Sequence, residues 1–209
     1  LKAHFQFDTP TYVINPSVRP EKFAIEGKPD DYLEQLRTRV RQQYNIPETA
    51  VVILSVGRLV RRKGFDRVIK NLPLLLAEGL DIHYIIGGRG SMETELRFLT
   101  SQLQVEERVH FAGYVPDEQL AGFYAACDLF AMLTYFDAKA ASIEGFGIVY
   151  LEAGYFGKPV IASRIGGVED AVHHGESGIL VEPNSTDEIS KALQQLCEDQ
   201  QLLEIGRAH

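Results

Sequence analysis

Apolar residues fall along this chain in short continuous runs separated by amphipathic stretches. Residues 51–56, Val-Val-Ile-Leu-Ser-Val, form such a run, the mark of a strand buried on both faces. Similar runs recur at 82–86, 109–112, 129–133, 160–162 and 178–181. Between them the pattern predicts helices over 65–77, 93–103, 117–126, 147–156, 168–172 and 186–197, the last capped by Ser185 or Thr186. A charged helix over 28–44 precedes the first strand and is ended by Pro47. Strands alternating with helices predict an α/β fold, a doubly wound, Rossmann-like parallel sheet with helices on both faces. Residues 1–25 hold Pro10, Pro16 and Pro20 around a short apolar run at 11–14. They read as a linker with one entry strand, leaving 26–209 as the folded domain.

Composition narrows the class. With 209 residues and 45% hydrophobic content the chain can bury a full core. A net charge of −8 argues against nucleic acid or an anionic membrane surface as the main partner. Cys127 and Cys197 have no C-x-x-C partners, so neither a disulfide framework nor a zinc site is indicated. No apolar run approaches the roughly 20 residues of a membrane span, and residues 1–7 do not look like a signal peptide. The expectation is a soluble, cytoplasmic protein.

In sheets of this kind ligands bind outside the carboxyl ends of the strands, so the loops after the strands are the ones to search. After the first strand comes Gly57-Arg58-Leu59-Val60-Arg61-Arg62-Lys63-Gly64, with four cations within six positions of an acidic chain. Taken alone it reads as well as a solvated basic turn as it does as an anion clamp. Gly87-Gly88-Arg89-Gly90 follows the second strand and lacks the spacing of a dinucleotide fingerprint. Gly113-Tyr114-Val115-Pro116 follows the third, where Pro116 is a helix-start residue or a wall for a flat ring. His173 and His174, beside Gly175, read as helix-end residues rather than metal ligands.

The loop after the fourth strand leads into Glu144-Gly145-Phe146-Gly147-Ile148-Val149-Tyr150-Leu151-Glu152-Ala153-Gly154. Its first part reads as loop and its second as a buried helix, whose first turn offers unpaired N–H groups to an anion. Glu144 and Glu152 stand eight positions apart. If all were helical they would be roughly 12 Å apart along the axis. That exceeds the ~5–9.5 Å of paired carboxylates acting on one glycosidic bond, and suits two ends of an extended ligand. As an isolated spacing it is weak, and a turn cap at Glu144 with a solvated helix residue at Glu152 would account for it.

Together these stretches resemble the retaining glycosyltransferases of the GT-B fold, group 4, over about residue 12 to the end. The motifs that carry the likeness are Gly-Arg-Leu-(x)3-Lys-Gly at 57–64, Gly-Gly-Arg-Gly at 87–90, Gly113-Tyr114-Val115 and Glu144-Gly145-Phe146-Gly147-(x)4-Glu152-Ala153. Lys158-Pro159-Val160-Ile161-Ala162-Ser163, Gly166-Gly167 and Gly175-(x)2-Gly178 extend it. The resemblance implies the C-terminal, donor-binding half of a two-domain enzyme, with the N-terminal acceptor domain absent. It implies Arg58 and Lys63 on a diphosphate, Glu144 on the donor-sugar hydroxyls and Glu152 on the ribose. Backbone of Phe146, Gly147, Ile148 and Val149 would hold sugar and phosphates, backbone near Val115 the base, and Gly57, Gly88 and Gly145 the close approaches. The donor would be a nucleoside diphosphate sugar, with no bound metal required. The acceptor, a glycan, lipid or small molecule, would be met by the absent domain, through which any peripheral membrane association would also run. The fragment alone would be inactive. Two other readings stay open: a nucleotide-sugar epimerase of the same fold, and a non-catalytic nucleotide-sugar-binding module.

Overall fold

The computed structural model describes residues 15–139 and 141–199. The entry strand expected at 11–14 and the last stretch of the 26–209 domain lie outside the described residues. Six strands form one parallel sheet: β1 (Val51–Val56), β2 (Ile82–Gly87), β3 (Val109–Gly113), β4 (Leu129–Met132), β5 (Val160–Ser163) and β6 (Gly178–Val181). Their spatial order is β3-β2-β1-β4-β5-β6, every neighbouring pair parallel. Ile53 lies opposite Tyr84 on one side and opposite Leu129 on the other. The chain thus winds outward in one direction from β1 and in the other from β4, and the crevice between those two strands is the switch point where doubly wound folds place ligands.

The expected strands are present, each within a residue of its predicted ends, because both faces of the sheet are covered and the apolar runs are consequently unbroken. Val52, Ile53 and Leu54 are fully buried, as are Tyr84, Ile85 and Ile86. The covering helices are α1 (Tyr32–Gln43), α2 (Phe65–Ala77), α3 (Glu93–Gln102), α4 (Asp117–Ala126), α5 (Ile148–Tyr155) and α6 (Thr186–Glu198). In α2 the buried residues Phe65, Val68, Ile69, Leu72 and Leu75 make one stripe. The helix runs on through Pro73, which removes one backbone donor, since that stripe is anchored on the sheet. Ser185 caps α6 by accepting from the Glu188 amide at 3.2 Å.

Two expected helices differ. The first begins at Tyr32 rather than 28, because Pro29 enters a turn closed by the Tyr32 amide on its carbonyl at 3.0 Å. The helix expected at 168–172 is a 3-10 turn over Gly166–Asp170, pulled back in sequence by the close approach of Gly167 to the Gly145 carbonyl. The charged look of α1 also conceals a buried anchor. Arg41, fully buried, pairs with Asp128 at 2.7 Å and donates to the carbonyls of Pro47, Ala50 and Ala126. Asp128 in turn accepts from the Val52 amide at 2.8 Å, tying α1 to the amino ends of β1 and β4.

At the amino ends of β2 and β3, His83 Nδ1 and His110 Nε2 lie 2.9 Å apart with the rings stacked. Burial, then the Arg108 charge, holds His83 below the ordinary imidazole value; burial, then His83 and Arg108, brings His110 down to about 4. Both rings are neutral in the fold and become protonated in the unfolded chain below about pH 6.5, so the unfolded state gains protons first as pH falls. Stability is therefore complete above that pH and declines towards pH 4. Allowing for the partial exposure of His110, the loss from this ring should be about 1–2 kcal/mol. Urea unfolding at pH 7.5 and 4.5 should show a smaller acid penalty in His110→Gln than in the parent.

Candidate active site

The site is built where the loops after β1 and β4 meet. The first loop ends in a 3-10 turn, Arg61–Lys63, closed by Gly64 in the left-handed region, φ 70°. A Cβ at Gly64 would stand 1.9 Å from the Leu133 carbonyl oxygen, so only glycine lets the turn lie flat on the end of β4. The Tyr135 amide then donates to the Arg62 carbonyl at 2.9 Å, stitching one loop to the other. Arg67, from α2, covers the Tyr135 ring at 4.3 Å.

That stitching brings three charges together across the switch point. Lys63 Nζ lies 2.6 Å and Arg62 Nη1 2.8 Å from Glu144 Oε2, and all three side chains are between 11% and 15% exposed. Burial by itself would raise the Glu144 carboxyl, but hydrogen bonds and charge from Lys63 and then Arg62 outweigh it and hold the group below the usual carboxylate range. The loop carrying Glu144 is seated on the turn Gly166–Asp170. A Cβ at Gly167 would fall 1.8 Å from the Gly145 carbonyl, an approach that any other residue forbids.

Gly147, at φ 84°, turns the chain into α5. Tyr150 fixes the start of that helix from beneath, its hydroxyl donating to the Met132 carbonyl at 2.9 Å. The Tyr150 amide closes on Gly147, and the preceding Ile148 and Val149 amides have no backbone acceptor among the described residues. With no side-chain cap, the helix offers those N–H groups and the positive end of its dipole. Glu152 lies one turn further on, 3% exposed, between Lys22 and Tyr124.

Beside this corner, backbone alone forms a shelf. The Gly57 amide donates to Gly87 and the Gly88 amide to Gly113, so the carboxyl ends of β1, β2 and β3 are joined without intervening side chains. Val115, 9% exposed, closes the far side. A cavity of about 790 Å³ lies elsewhere, against Leu80, Asp81, Val105 and Arg108 at the amino ends of β2 and β3. It gathers none of these groups, so convergent chemistry and not volume locates the site.

The structure therefore brings together Lys63, Glu144, Gly145, Phe146, Gly147, Ile148 and Val149, with Gly57, Gly88 and Val115 along the shelf. Arg58 is exposed, and the cation beside Lys63 on Glu144 is Arg62. The bland account of the two glutamates, a turn cap and a solvated helix residue, does not hold, because both are buried and ion-paired. Lys22 and Tyr124 had no signal in the sequence, since each reaches Glu152 only through the packing of distant elements. The histidine pair, expected at a helix end, lies beyond the 3-10 turn Gly166–Asp170, where His174 forms a parallel bridge with Gly178 and its Nδ1 accepts from the Leu180 amide. Among the described residues no group of three or more His, Cys, Asp or Glu side chains is placed to hold a metal, and no helix is long and apolar enough to cross a membrane.

A parallel sheet in this order, with cations and a free helix terminus at its switch point, defines a Rossmann-like domain equipped for an anionic ligand. Over residues 37–206 the chain matches the family described as Glycosyl transferases group 1, and it belongs to that family. It is 36% identical over 184 residues to a GDP-mannose-dependent α-(1-6)-phosphatidylinositol monomannoside mannosyltransferase of Mycolicibacterium smegmatis, covering 88% of this chain and 46% of that protein. Among solved structures it is similar to WaaG, a glycosyltransferase involved in lipopolysaccharide biosynthesis, with a TM-score of 0.77, 25% identity, and coverage of 99% and 54%. It is also similar to Alr3699/HepE of Anabaena, solved in complex with UDP and glucose, with a TM-score of 0.70, 28% identity, and coverage of 83% and 46%. The fold is thus the Rossmann-like α/β fold of GT-B glycosyltransferases. The chain spans about half the length of the curated relatives it matches.

Glu144→Gln would leave Lys63 and Arg62 without their counter-charge. Allowing for partial solvent access, it should cost about 2–4 kcal/mol in urea unfolding at neutral pH. The difference from the parent should shrink as pH falls through and below the carboxylate range, where Glu144 is itself protonated and its depressed value no longer stabilises the fold.

Proposed function

We propose that this chain is the donor-binding half of a retaining glycosyltransferase, which moves a hexose from a nucleoside diphosphate sugar to an acceptor. The observation that carries the reading is the convergence of Lys63, Arg62, Glu144 and the free amides of α5 at the β1–β4 switch point. The names of the relatives point the same way: one is GDP-mannose-dependent, and a structural neighbour was solved with UDP and glucose. They differ in base, as suits a site whose base-facing shelf is backbone.

In this reading the ligand lies across the site from the shelf to the Glu144 loop. Lys63 and Arg58 meet the diphosphate, and the Ile148 and Val149 amides meet its far oxygens. Glu144 accepts from sugar hydroxyls, Glu152 from the ribose, and backbone near Val115 faces the base. Breaking the anomeric C–O bond leaves the departing nucleoside diphosphate with growing negative charge. Donors already fixed towards that charge lower the barrier, and losing one such donor costs about 2.7–4 kcal/mol in a well-studied hydrolase. Glu144 holds Lys63 and Arg62 in place before the ligand arrives. The diphosphate then shares those cations with it, so their orientation costs little at the moment of reaction. No divalent cation is required in this arrangement.

Calorimetry of the chain in chelator should show UDP, GDP or ADP binding with Kd of about 10⁻⁵–10⁻³ M, since half a cleft leaves the ligand partly solvated. Binding that appears only when magnesium is added would overturn the metal-independent clamp. In a longer protein containing this chain, Lys63→Ala should lower kcat more than it weakens binding of the sugar-free nucleoside, because the charge that Lys63 meets grows in the transition state. Equal losses for nucleoside and nucleoside diphosphate would place Lys63 away from the phosphates.

A further inference from the structure

Glu152 lies in the second turn of α5. Helix side chains lean towards the N-terminus, so its carboxylate is carried back towards Ile148 and Val149, the end of the helix that faces the cleft. Both oxygens are held by groups that arrive from elsewhere in the chain. Lys22 Nζ, on the 3-10 turn Pro20–Phe23, reaches Oε1 at 2.5 Å. The Tyr124 hydroxyl, from α4, donates to Oε2 at 2.8 Å. Tyr124 is fully buried, and burial, then the Glu152 charge, keeps its phenol protonated well above the usual range, so it remains a donor.

The mount that carries Lys22 is firm. Phe23 beside it is 1% exposed, stacks on Tyr155 at 5.6 Å and meets Phe156 and Tyr124 edge-on. A bare carboxylate in this setting would lose its solvation uncompensated or swing out to solvent. One charged and one neutral holder fix an oxygen each, and therefore the plane of the carboxylate, while leaving each oxygen a further lone pair.

We propose that Lys22 and Tyr124 are positioning residues for nucleoside recognition: they hold the Glu152 carboxylate in one orientation, so that its remaining lone pairs accept the two hydroxyls of a ribose. The proposal rests on the reading of Glu152 given above and supplies what that reading needs. A vicinal diol requires two acceptors at a fixed separation, which a freely rotating carboxylate does not present. It also makes ribose recognition depend on a turn that precedes the strand–helix repeats and lies before residue 37, where the family match begins.

The test compares, in the full 209-residue chain, the affinity for whichever of UDP, GDP and ADP binds best with that for its 2′-deoxy counterpart. The parent should prefer the ribonucleotide by about tenfold or more, the effect of one charge-assisted hydrogen bond. Lys22→Met and Tyr124→Phe should each reduce that preference to about threefold or less, leaving the deoxynucleotide affinity within about twofold of the parent. Lys22→Arg should restore most of it. If the parent shows no preference, or binds none of the three, the ribose assignment falls and the proposal with it. If the parent discriminates and both variants keep its preference, the positioning role alone is overturned. Equal weakening of both nucleotides with a lowered thermal midpoint would make Lys22 and Tyr124 structural, and overturns it as well.

Discussion

The close approach of the turn Arg61–Lys63 to the end of β4 is the constraint on which the rest of the site depends. It is permitted by one missing side chain, at Gly64, and closed by one hydrogen bond, from the Tyr135 amide to the Arg62 carbonyl. Two loops that leave different strands are thereby held at van der Waals distance. A lysine and an arginine from one then share a carboxylate oxygen from the other. Buried charges of this kind persist only when paired and hydrogen-bonded, so the backbone contact and the ion triad support each other.

A second constraint works from below. The turn Gly166–Asp170 lies so close to the Gly145 carbonyl that residue 167 must be glycine, and Tyr150 reaches under α5 to the Met132 carbonyl. The Glu144 loop and the start of α5 are thus fixed to β4 and to the segment after β5 together. What results is a closely packed corner of cations, a carboxylate and free amides at the end of the sheet. Preorganisation of this sort is what a transferase needs if the protein is to stabilise a departing diphosphate without first rearranging. The aromatic cluster around Phe23, Tyr124 and Phe156 extends the same close packing to Glu152 at the other end of the motif.

The relatives fit this division of labour. Names that differ in nucleotide accompany a fold held in common. The shelf of Gly57, Gly88 and Gly113 presents backbone rather than side chains, and in the proposed reading such a surface sets few demands on the identity of a base.

The order and type of nearly every element were legible in the sequence, since a sheet covered on both faces writes unbroken apolar runs, and helices packed on it write stripes. The strand ends at Val51, Val56, Gly178 and Val181 and the helix over 65–77 followed from pattern alone. The motif residues Lys63, Glu144 and Glu152 could be singled out because several motifs in order resemble one family, each motif alone being weak. Their partners could not. Arg62 outranks Arg58 beside Glu144 because of the exact turn of a 3-10 segment, and side-chain direction within a loop has no period to read. Lys22 and Tyr124 meet Glu152 across 130 and 28 residues, distances set by how α4, α5 and the turn before α1 pack on one another. Local propensity fixes each element, but which charges face each other is decided only when those elements share a core, and that decision belongs to the tertiary structure.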